Sequence, residues 1–311
     1  MTPKPPVVRP GWRRHVTIIA GFRCFDGIVI CADTLETVAE ISKRNIPKLI
    51  YEPADAQGRT QALRKDDLAV AFCGASNNGP FVDKLVSEAW DDAQEGTNLD
   101  KVCELIETSI QRTYQRFGAI FQPGYCPSAD LIYGVKMHGA SKLFSATGPV
   151  IVEQKRYYAG GAGYYMADFL ASRMYRRGMT VRQCVILGAY VLFQAKEHVD
   201  GCGGESQIAI LRDKGVSGMV DSLRVESLNR ILETSDAYLS NLLLNAADLE
   251  IDKFEFSQLM EMAKKMLEDS RGGEMADYSL IKGLTEDVRV IYPDKEHIDE
   301  FGLPMPSDPQ T

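Results

Sequence analysis

Two apolar, β-branched runs near the N-terminus predict a β-hairpin. Val16–Gly21 and Gly27–Ala32 are both typical of strands, and the Asp26-Gly27 pair between them is typical of a hairpin turn. The hairpin would bring Thr17, near its start, close to Asp33, at its end. Further strands are predicted over Val38–Ser42 and Lys48–Tyr51, and the run LAVAFCG at 68–74 predicts a buried strand.

Helical periodicity follows in two pairs of segments. The first pair begins at Asn78-Gly79-Pro80, with proline at the first helical position, and the second helix of the later pair begins at the capping box Thr180–Gln183. A strand-rich block at 129–159 separates the pairs, and the strand SQIAILRD follows the second pair. Strands therefore do not alternate singly with helices. This order predicts an α+β fold, with two antiparallel sheets face to face and helix pairs on the outer faces.

From about Leu223 the pattern changes to amphipathic helices, followed by a possible last strand, DVRVIY, and a loose tail, FGLPMPSDPQT. The leader at 1–16 is rich in proline and arginine and is expected to be flexible. The predicted organisation is a leader or propeptide at 1–16, a main domain at 17–221, and a mainly helical extension at 222–311.

Composition excludes several classes of function. The net charge of −8 argues against binding nucleic-acid phosphates, and no apolar run has the length of a membrane span. The leader has no hydrophobic signal core, so a cytoplasmic protein is predicted. The seven cysteines show no CxxC pair and are expected to be buried, reduced thiols, while the four histidines form no metal-binding pattern. Neither a metal nor a cofactor is expected.

Five pieces of the sequence, in order, resemble the β-type subunits of the proteasome, within the N-terminal nucleophile (Ntn) hydrolases. The sharpest is T-x-I-A-G-(x)4-D-G-I-V-(x)2-A-D-T from Thr17 to Thr34. The others are RNIPKLIY, which contains Lys48, then FCGASNNGPF, GAGYYMA at 161–167, and DGCGG at 200–204. The resemblance runs from Thr17 to about Val220. It implies a four-layer αββα sandwich, a threonine freed as the first residue, and assembly into rings.

The resemblance also implies a catalytic set. A threonine hydroxyl needs a base, and a freed Thr17 would supply its own α-amine, a group whose ordinary pKa is about 8. Lys48 would favour the neutral amine and the deprotonated hydroxyl, and Asp33 would hold Lys48 against the nucleophile. The Gly74 N–H would be the oxyanion donor, and Asp200 would orient the amine. Peptide bonds would then be hydrolysed through an acyl-enzyme.

A first specificity pocket would be lined, by analogy, by Ile46, Phe72 and Ser76. The expected partners are a peptide or unfolded-protein substrate, further subunits in a homo- or hetero-oligomeric ring, and an ATP-dependent unfoldase.

Three departures from the family pattern leave alternatives open. Val16 stands where self-cleaving members have glycine, Ala162 replaces a serine, and Cys202-Gly203 occupy positions where another serine is common. Taken singly, Thr17 is an ordinary strand threonine, Asp33 a turn residue and Lys48 an edge-strand charge. The alternatives to a threonine peptidase are an inactive subunit with a structural or assembly role, and an amidase acting on a small amide.

Overall fold

The structure is a computed structural model, and it describes residues 17–38, 42–52, 67–76, 78–120, 127, 129–248 and 252–273. These residues form twelve strands and six helices. The strands are β1 (Ile18–Cys24), β2 (Gly27–Asp33), β3 (Leu35–Val38), β4 (Ser42–Asn45), β5 (Leu49–Glu52), β6 (Ala69–Ser76), β7 (Ala129–Met137), β8 (Ala140–Thr147), β9 (Val150–Gln154), β10 (Tyr157–Gly161), β11 (Ser206–Arg212) and β12 (Gly218–Met219). The helices are α1 (Gly79–Ala93), α2 (Leu99–Gly118), α3 (Tyr164–Met174), α4 (Val181–His198), α5 (Ser222–Ala247) and α6 (Lys253–Gly273).

The strands form two five-stranded antiparallel sheets and a separate hairpin. The first sheet has the order β10-β1-β2-β11-β12, the second has the order β5-β6-β7-β8-β9, and β3 pairs with β4. The prediction of an α+β protein with antiparallel sheets is confirmed. Val38 and Ser42, the ends of the strand predicted over Val38–Ser42, pair with each other as the last residue of β3 and the first residue of β4, and residues 39–41 between them lie outside the described residues.

Alternation along the strands divides the core into three clusters. In β2, Val29 and Cys31 pack in a cluster with residues of α3 and α4, while Ile28 and Ile30 pack in a cluster made by the facing sides of the two sheets. A third cluster lies between the second sheet and the helices α1 and α2. Because β2 is buried on both faces, it is apolar from Gly27 to Ala32 rather than alternating between apolar and polar residues, and Asp33 is the charged residue at its end.

Side-chain caps fix where the helices begin. Asn78 accepts a hydrogen bond from the Phe81 N–H (3.1 Å) at the start of α1, and Thr180 and Gln183 form the predicted capping box at the start of α4. Helix α3 ends at Met174, just before the segment Arg176-Arg177-Gly178, whose two cations and glycine are typical of a helix end. None of the described helices combines the length and the apolar character that crossing a membrane requires.

Helix α5 is fixed to the rest of the protein by polar contacts with α4. The Tyr190 hydroxyl donates to Asp236 Oδ1 (2.5 Å), and Gln194 Nε2 donates to Asp236 Oδ2 (3.1 Å). Val225 of α5 is buried in the cluster that contains α3 and α4. The leader at 1–16, the possible strand DVRVIY and the C-terminal tail lie outside the described residues, so the division at 17–221 and 222–311 stays a prediction.

Candidate active site

Thr17 and Asp33 meet where β1 begins and β2 ends. The hairpin register pairs Ile19 with Ala32, which brings the next residues of the two strands together. The Thr17 hydroxyl donates to Asp33 Oδ1 (2.6 Å), and the Ile18 N–H donates to the same oxygen (3.2 Å). Thr17 is 3% exposed and Asp33 is fully buried, so this hydrogen bond lies in a water-poor environment.

Lys48 completes a group of three side chains. It lies just before β5 of the second sheet, and its Nζ forms an ion pair with Asp33 Oδ1 at 2.6 Å. Lys48 Nζ also donates to the Thr17 hydroxyl oxygen and to the Leu35 carbonyl oxygen. The structure therefore brings together the three residues that the sequence analysis placed at the centre of the site. Their role in a reaction stays a prediction.

The segment Gly161–Gly163 encloses the backbone of Thr17. The Gly163 N–H donates to the Thr17 carbonyl oxygen at 3.0 Å. Gly161 has a φ of +81°, and a Cβ atom there would lie 2.4 Å from the Thr17 carbonyl oxygen. Only glycine satisfies both the left-handed backbone and this close approach. Ala162, at the expected serine position, brings no side-chain hydroxyl to the site.

The loop after α4 reaches Asp33 through its backbone. The Gly203 N–H donates to Asp33 Oδ2 (3.0 Å), and the Gly203 carbonyl oxygen accepts from the Leu35 N–H (3.1 Å). The Glu205 N–H donates to the Thr34 hydroxyl oxygen (2.7 Å), which fixes the same loop beside β2. Asp33 thus accepts hydrogen bonds on both carboxylate oxygens.

Asp200, the predicted support for the amine, is not brought to this group. It is exposed and lies in the turn that follows α4. None of the hydrogen bonds that the structure describes joins Asp200 to Thr17, Asp33 or Lys48. The physical contribution of the loop comes instead from the Gly203 N–H, three positions further along.

A second lysine and a cysteine flank Asp33. Lys196 of α4 donates to the Ser206 hydroxyl (2.7 Å), and Ser206 is paired with Asp33 across the sheet. Burial lowers the pKa of Lys196, while the negative charges of Asp33, Glu205 and Glu226 oppose that shift. Burial raises the pKa of Cys202 to about 12, so the thiol stays protonated at neutral pH and is a poor competing nucleophile.

The Gly74 N–H forms a hydrogen bond within the second sheet. This N–H donates to the Lys48 carbonyl oxygen at 3.2 Å, so it is occupied rather than presented to a substrate. A role of this N–H as an oxyanion donor stays a prediction. The contact nevertheless ties Gly74 to the site, because it fixes the backbone of Lys48.

The predicted pocket residues lie in two different places. Phe72 is 1% exposed and packs in the cluster between the second sheet and α1 and α2, where its ring contacts Tyr133. Its side chain therefore faces the helices, and the prediction that Phe72 lines a pocket is corrected. Ile46 and Ser76 are partly exposed. Ile46 donates its N–H to the Thr34 carbonyl oxygen (2.7 Å), which places Ile46 beside the site.

One polar side chain at the site was not singled out from the sequence. Gln207 Oε1 accepts hydrogen bonds from the Lys48 N–H (2.9 Å) and the Leu49 N–H (3.3 Å). The signal was present in the strand pattern, because Gln207 alternates with Ile208 and shares the register of Ala209 and Leu211, which face the second sheet. A polar residue in that register needs a partner.

This arrangement suits activation of a hydroxyl. The Thr17 oxygen lies between a cation that would stabilise developing negative charge and a carboxylate that accepts its proton in a hydrogen bond. Within the described residues, no group of three or more His, Cys, Asp or Glu side chains is placed to hold a metal ion.

The fold is that of proteasome-related proteins. Similar solved structures include those of Anbu, described as an ancestral beta-subunit. The Anbu structure from Yersinia bercovieri is 12% identical, with a TM-score of 0.57, and the match covers 76% of this chain and 100% of that one. The Gly-1 mutant of Anbu from Hyphomicrobium sp. strain MC1 is 14% identical with a TM-score of 0.55, covering 76% of this chain and 99% of that one. A second structure of Anbu from that strain is 14% identical, with a TM-score of 0.54 and coverages of 76% and 100%.

These comparisons correct the resemblance drawn from the sequence. The motifs were identified with proteasome β-type subunits, whereas the three similar structures described above are Anbu proteins, which are related to the proteasome but form a distinct group. No protein-family model matches the sequence, and no curated protein matches it. At these identities the structural similarity shows the fold.

Proposed function

We propose that the protein is an Ntn amide hydrolase whose nucleophile is Thr17, with the four-layer αββα architecture that this class uses. The observation that carries the proposal is the position of the Thr17 hydroxyl, which is 2.6 Å from Asp33 Oδ1 and is also bonded to Lys48 Nζ. The near-complete burial of all three side chains supports it, because ionic interactions are stronger away from water.

The chemistry requires that the peptide bond between Val16 and Thr17 be cleaved. The freed α-amine, a group whose pKa is ordinarily about 8, would accept the hydroxyl proton while Thr17 Oγ1 attacks the carbonyl carbon of the substrate. The C–N bond of the substrate would then break, and the amine would pass the proton to the leaving nitrogen. Water would hydrolyse the resulting ester on Thr17 and restore the enzyme. Lys48 would stabilise the negative charge that develops on Oγ1.

The proposed substrate is a peptide or a segment of unfolded protein. The proposed setting is the cytoplasm, in a homo- or hetero-oligomeric ring that an ATP-dependent unfoldase supplies. The similarity to Anbu, described as an ancestral beta-subunit, supports the proposal of a subunit within a larger assembly. A small-amide amidase would use the same Thr17 chemistry and differs in the size of the substrate.

The test combines the N-terminal sequence with activity. Mass spectrometry of the purified protein is expected to show a chain that begins at Thr17, and fluorogenic peptide amides are expected to be hydrolysed. Thr17→Ala is expected to abolish hydrolysis, and the exposed strand residue Thr147 provides the control, since Thr147→Ala removes a hydroxyl of the same kind away from the site. Hydrolysis by a chain that retains residues 1–16 would contradict the mechanism. Activity on small amides alone would favour the amidase.

A structural or assembly role is the second candidate. Two observations favour it: the Gly74 N–H is occupied by the Lys48 carbonyl oxygen, and Asp200 is exposed and away from the site. An unprocessed chain that forms a discrete large oligomer, and that does not react with a threonine-directed electrophile, would support this role over catalysis.

A further inference from the structure

Gln207 connects the two sheets at Lys48, the residue whose ammonium group is the cation of the site. Gln207 lies in β11 of the first sheet, and its side-chain oxygen accepts from the N–H groups of Lys48 (2.9 Å) and Leu49 (3.3 Å), at the start of β5 in the second sheet. Lys48 directs its N–H to Gln207 while its carbonyl oxygen accepts from the Gly74 N–H (3.2 Å). The backbone of Lys48 is therefore fixed from both sides.

The same strand also fixes Asp33. In the pairing of β11 with β2, Gln207 lies opposite Ala32, and its neighbour Ser206 lies opposite Asp33. Two adjacent residues of β11 thus set the backbone positions of both members of the ion pair. A lysine side chain is flexible about four rotatable bonds, so the position of its backbone decides whether Nζ reaches Thr17 Oγ1 or water.

We infer that Gln207 is a positioning residue for Lys48, a role that rests on the Thr17 chemistry proposed above. By holding the N–H groups of Lys48 and Leu49, Gln207 keeps Nζ in contact with the Thr17 hydroxyl oxygen and Asp33. Without this acceptor, the start of β5 loses its connection to the first sheet, and Nζ moves relative to the hydroxyl. A displacement of about 1 Å in a reacting group costs on the order of 100-fold in rate.

Two substitutions at Gln207 distinguish the effect of its acceptor oxygen from the effect of its side-chain volume. Gln207→Met keeps a similar length and removes the acceptor oxygen, whereas Gln207→Glu keeps an acceptor and adds a negative charge near Lys48. Gln154 of β9 is the matched control, since it is a partly buried strand glutamine whose Nε2 donates to the Ser145 hydroxyl (2.8 Å). We expect Gln207→Met to lower kcat about 10-fold or more with KM within about twofold, because in the proposed mechanism Lys48 acts on the Thr17 hydroxyl and not on the binding of the substrate.

Rescue by a conservative substitution distinguishes positioning from support of the fold. Gln207→Glu is expected to recover most of the rate that Gln207→Met loses, because its carboxylate oxygen can accept from the same two N–H groups. Gln154→Met is expected to leave kcat within about twofold of the wild type. A loss of thermal stability alone would not produce a loss of rate that Gln207→Glu restores.

Amide hydrogen exchange provides a readout that needs no activity. In the inactive Thr17→Ala background, Gln207→Met is expected to accelerate exchange at the Lys48 and Leu49 amides by at least about 10-fold relative to Gln154→Met. Unchanged exchange at these two amides would overturn the inference whatever the enzyme does.

The outcomes keep the two proposals apart. If the wild type hydrolyses no amide, the proposed function fails, and the exchange experiment still decides whether Gln207 holds Lys48. If the wild type is active and Gln207→Met has the same kcat, the inference about Gln207 is overturned while the function stands. A loss of rate that Gln207→Glu does not restore would equally overturn it.

Discussion

The ion pair between Asp33 and Lys48 is almost completely removed from water, which makes its contribution to folding measurable without a substrate. The Asp33 side chain is 0% exposed and the Lys48 side chain is 10% exposed, with 2.6 Å between Oδ1 and Nζ. Lys48→Met keeps the length of the apolar stem and removes the charge. The carboxylate of Asp33 is then left in the protein interior without its countercharge.

The size of the effect follows from what remains around Asp33. Removing one partner of a buried ion pair costs about 3 to 5 kcal/mol, because the other charge stays desolvated. Asp33 keeps three hydrogen-bond donors after the substitution: the Thr17 hydroxyl and the N–H groups of Ile18 and Gly203. We therefore expect Lys48→Met to lower the free energy of unfolding by about 3 kcal/mol, at the lower end of that range.

A double-mutant cycle isolates the pair. Asp33→Asn removes the negative charge and leaves the charged Lys48 buried, so it is also expected to destabilise. In the double variant neither charge remains, and the combined loss is expected to be smaller than the sum of the single losses by about 2 kcal/mol. The assay is urea unfolding at neutral pH, with all four proteins at one concentration and the slope of the transition compared.

Two results would refute this reasoning. A loss below about 1 kcal/mol for Lys48→Met would show that the pair behaves as an exposed surface salt bridge. Additive single losses would show that Asp33 and Lys48 do not interact in the folded protein, and the candidate site would lose its central contact.

Two further substitutions test the surroundings of the site and the helical layer. Gly161→Ala is expected to lower the free energy of unfolding by at least about 2 kcal/mol more than Gly178→Ala. Both glycines have a positive φ (+81° and +91°), but only at Gly161 would a Cβ atom collide with Thr17, at 2.4 Å from its carbonyl oxygen. Equal losses in thermal or urea unfolding would contradict this contact. Glu88→Gln is expected to remove a stability contribution that depends on pH: burial opposes ionisation of Glu88, but hydrogen bonds from one hydroxyl and two cations of α1 and α2 lower its pKa from 4.5 to about 2. Since the folded-state pKa of Glu88 is depressed, its contribution to stability is present above pH 4.5 and is lost as the pH falls towards 2. The free energies of unfolding of the wild type and Glu88→Gln should therefore converge near pH 2. Glu197 is exposed, so Glu197→Gln is the control and should follow the wild type at every pH.

Local patterns were sufficient to predict most of the fold. The hairpin of β1 and β2 follows from two apolar runs and an Asp-Gly turn, and its antiparallel register alone makes Thr17 and Asp33 neighbours. The helix starts at Asn78 and Thr180 follow from capping residues that act within one turn. These features depend on residues close together in the chain, so their physical cause is visible in the sequence.

Predictions were less successful where they required a choice between the two faces of a strand or between possible hydrogen-bond partners. β6 is buried on both sides, so its sequence does not indicate which side chains face the other sheet, and Phe72 proved to face the helices. The loop after α4 contacts Asp33 through the Gly203 N–H rather than through Asp200. Every residue except proline carries a backbone N–H, so the residue type does not indicate which N–H will act as the donor.

The sequence by itself determined the order and type of the elements and the nearness of Thr17 to Asp33, since hydrophobic periodicity and turn chemistry act over short distances. The family resemblance placed Lys48 at the site, but only the tertiary structure shows that its Nζ contacts the hydroxyl of Thr17, 31 positions earlier, and that Gln207, 159 positions after Lys48, holds its backbone. Both contacts cross from one sheet to the other. Their geometry depends on how two separately formed layers pack, and no local pattern encodes that.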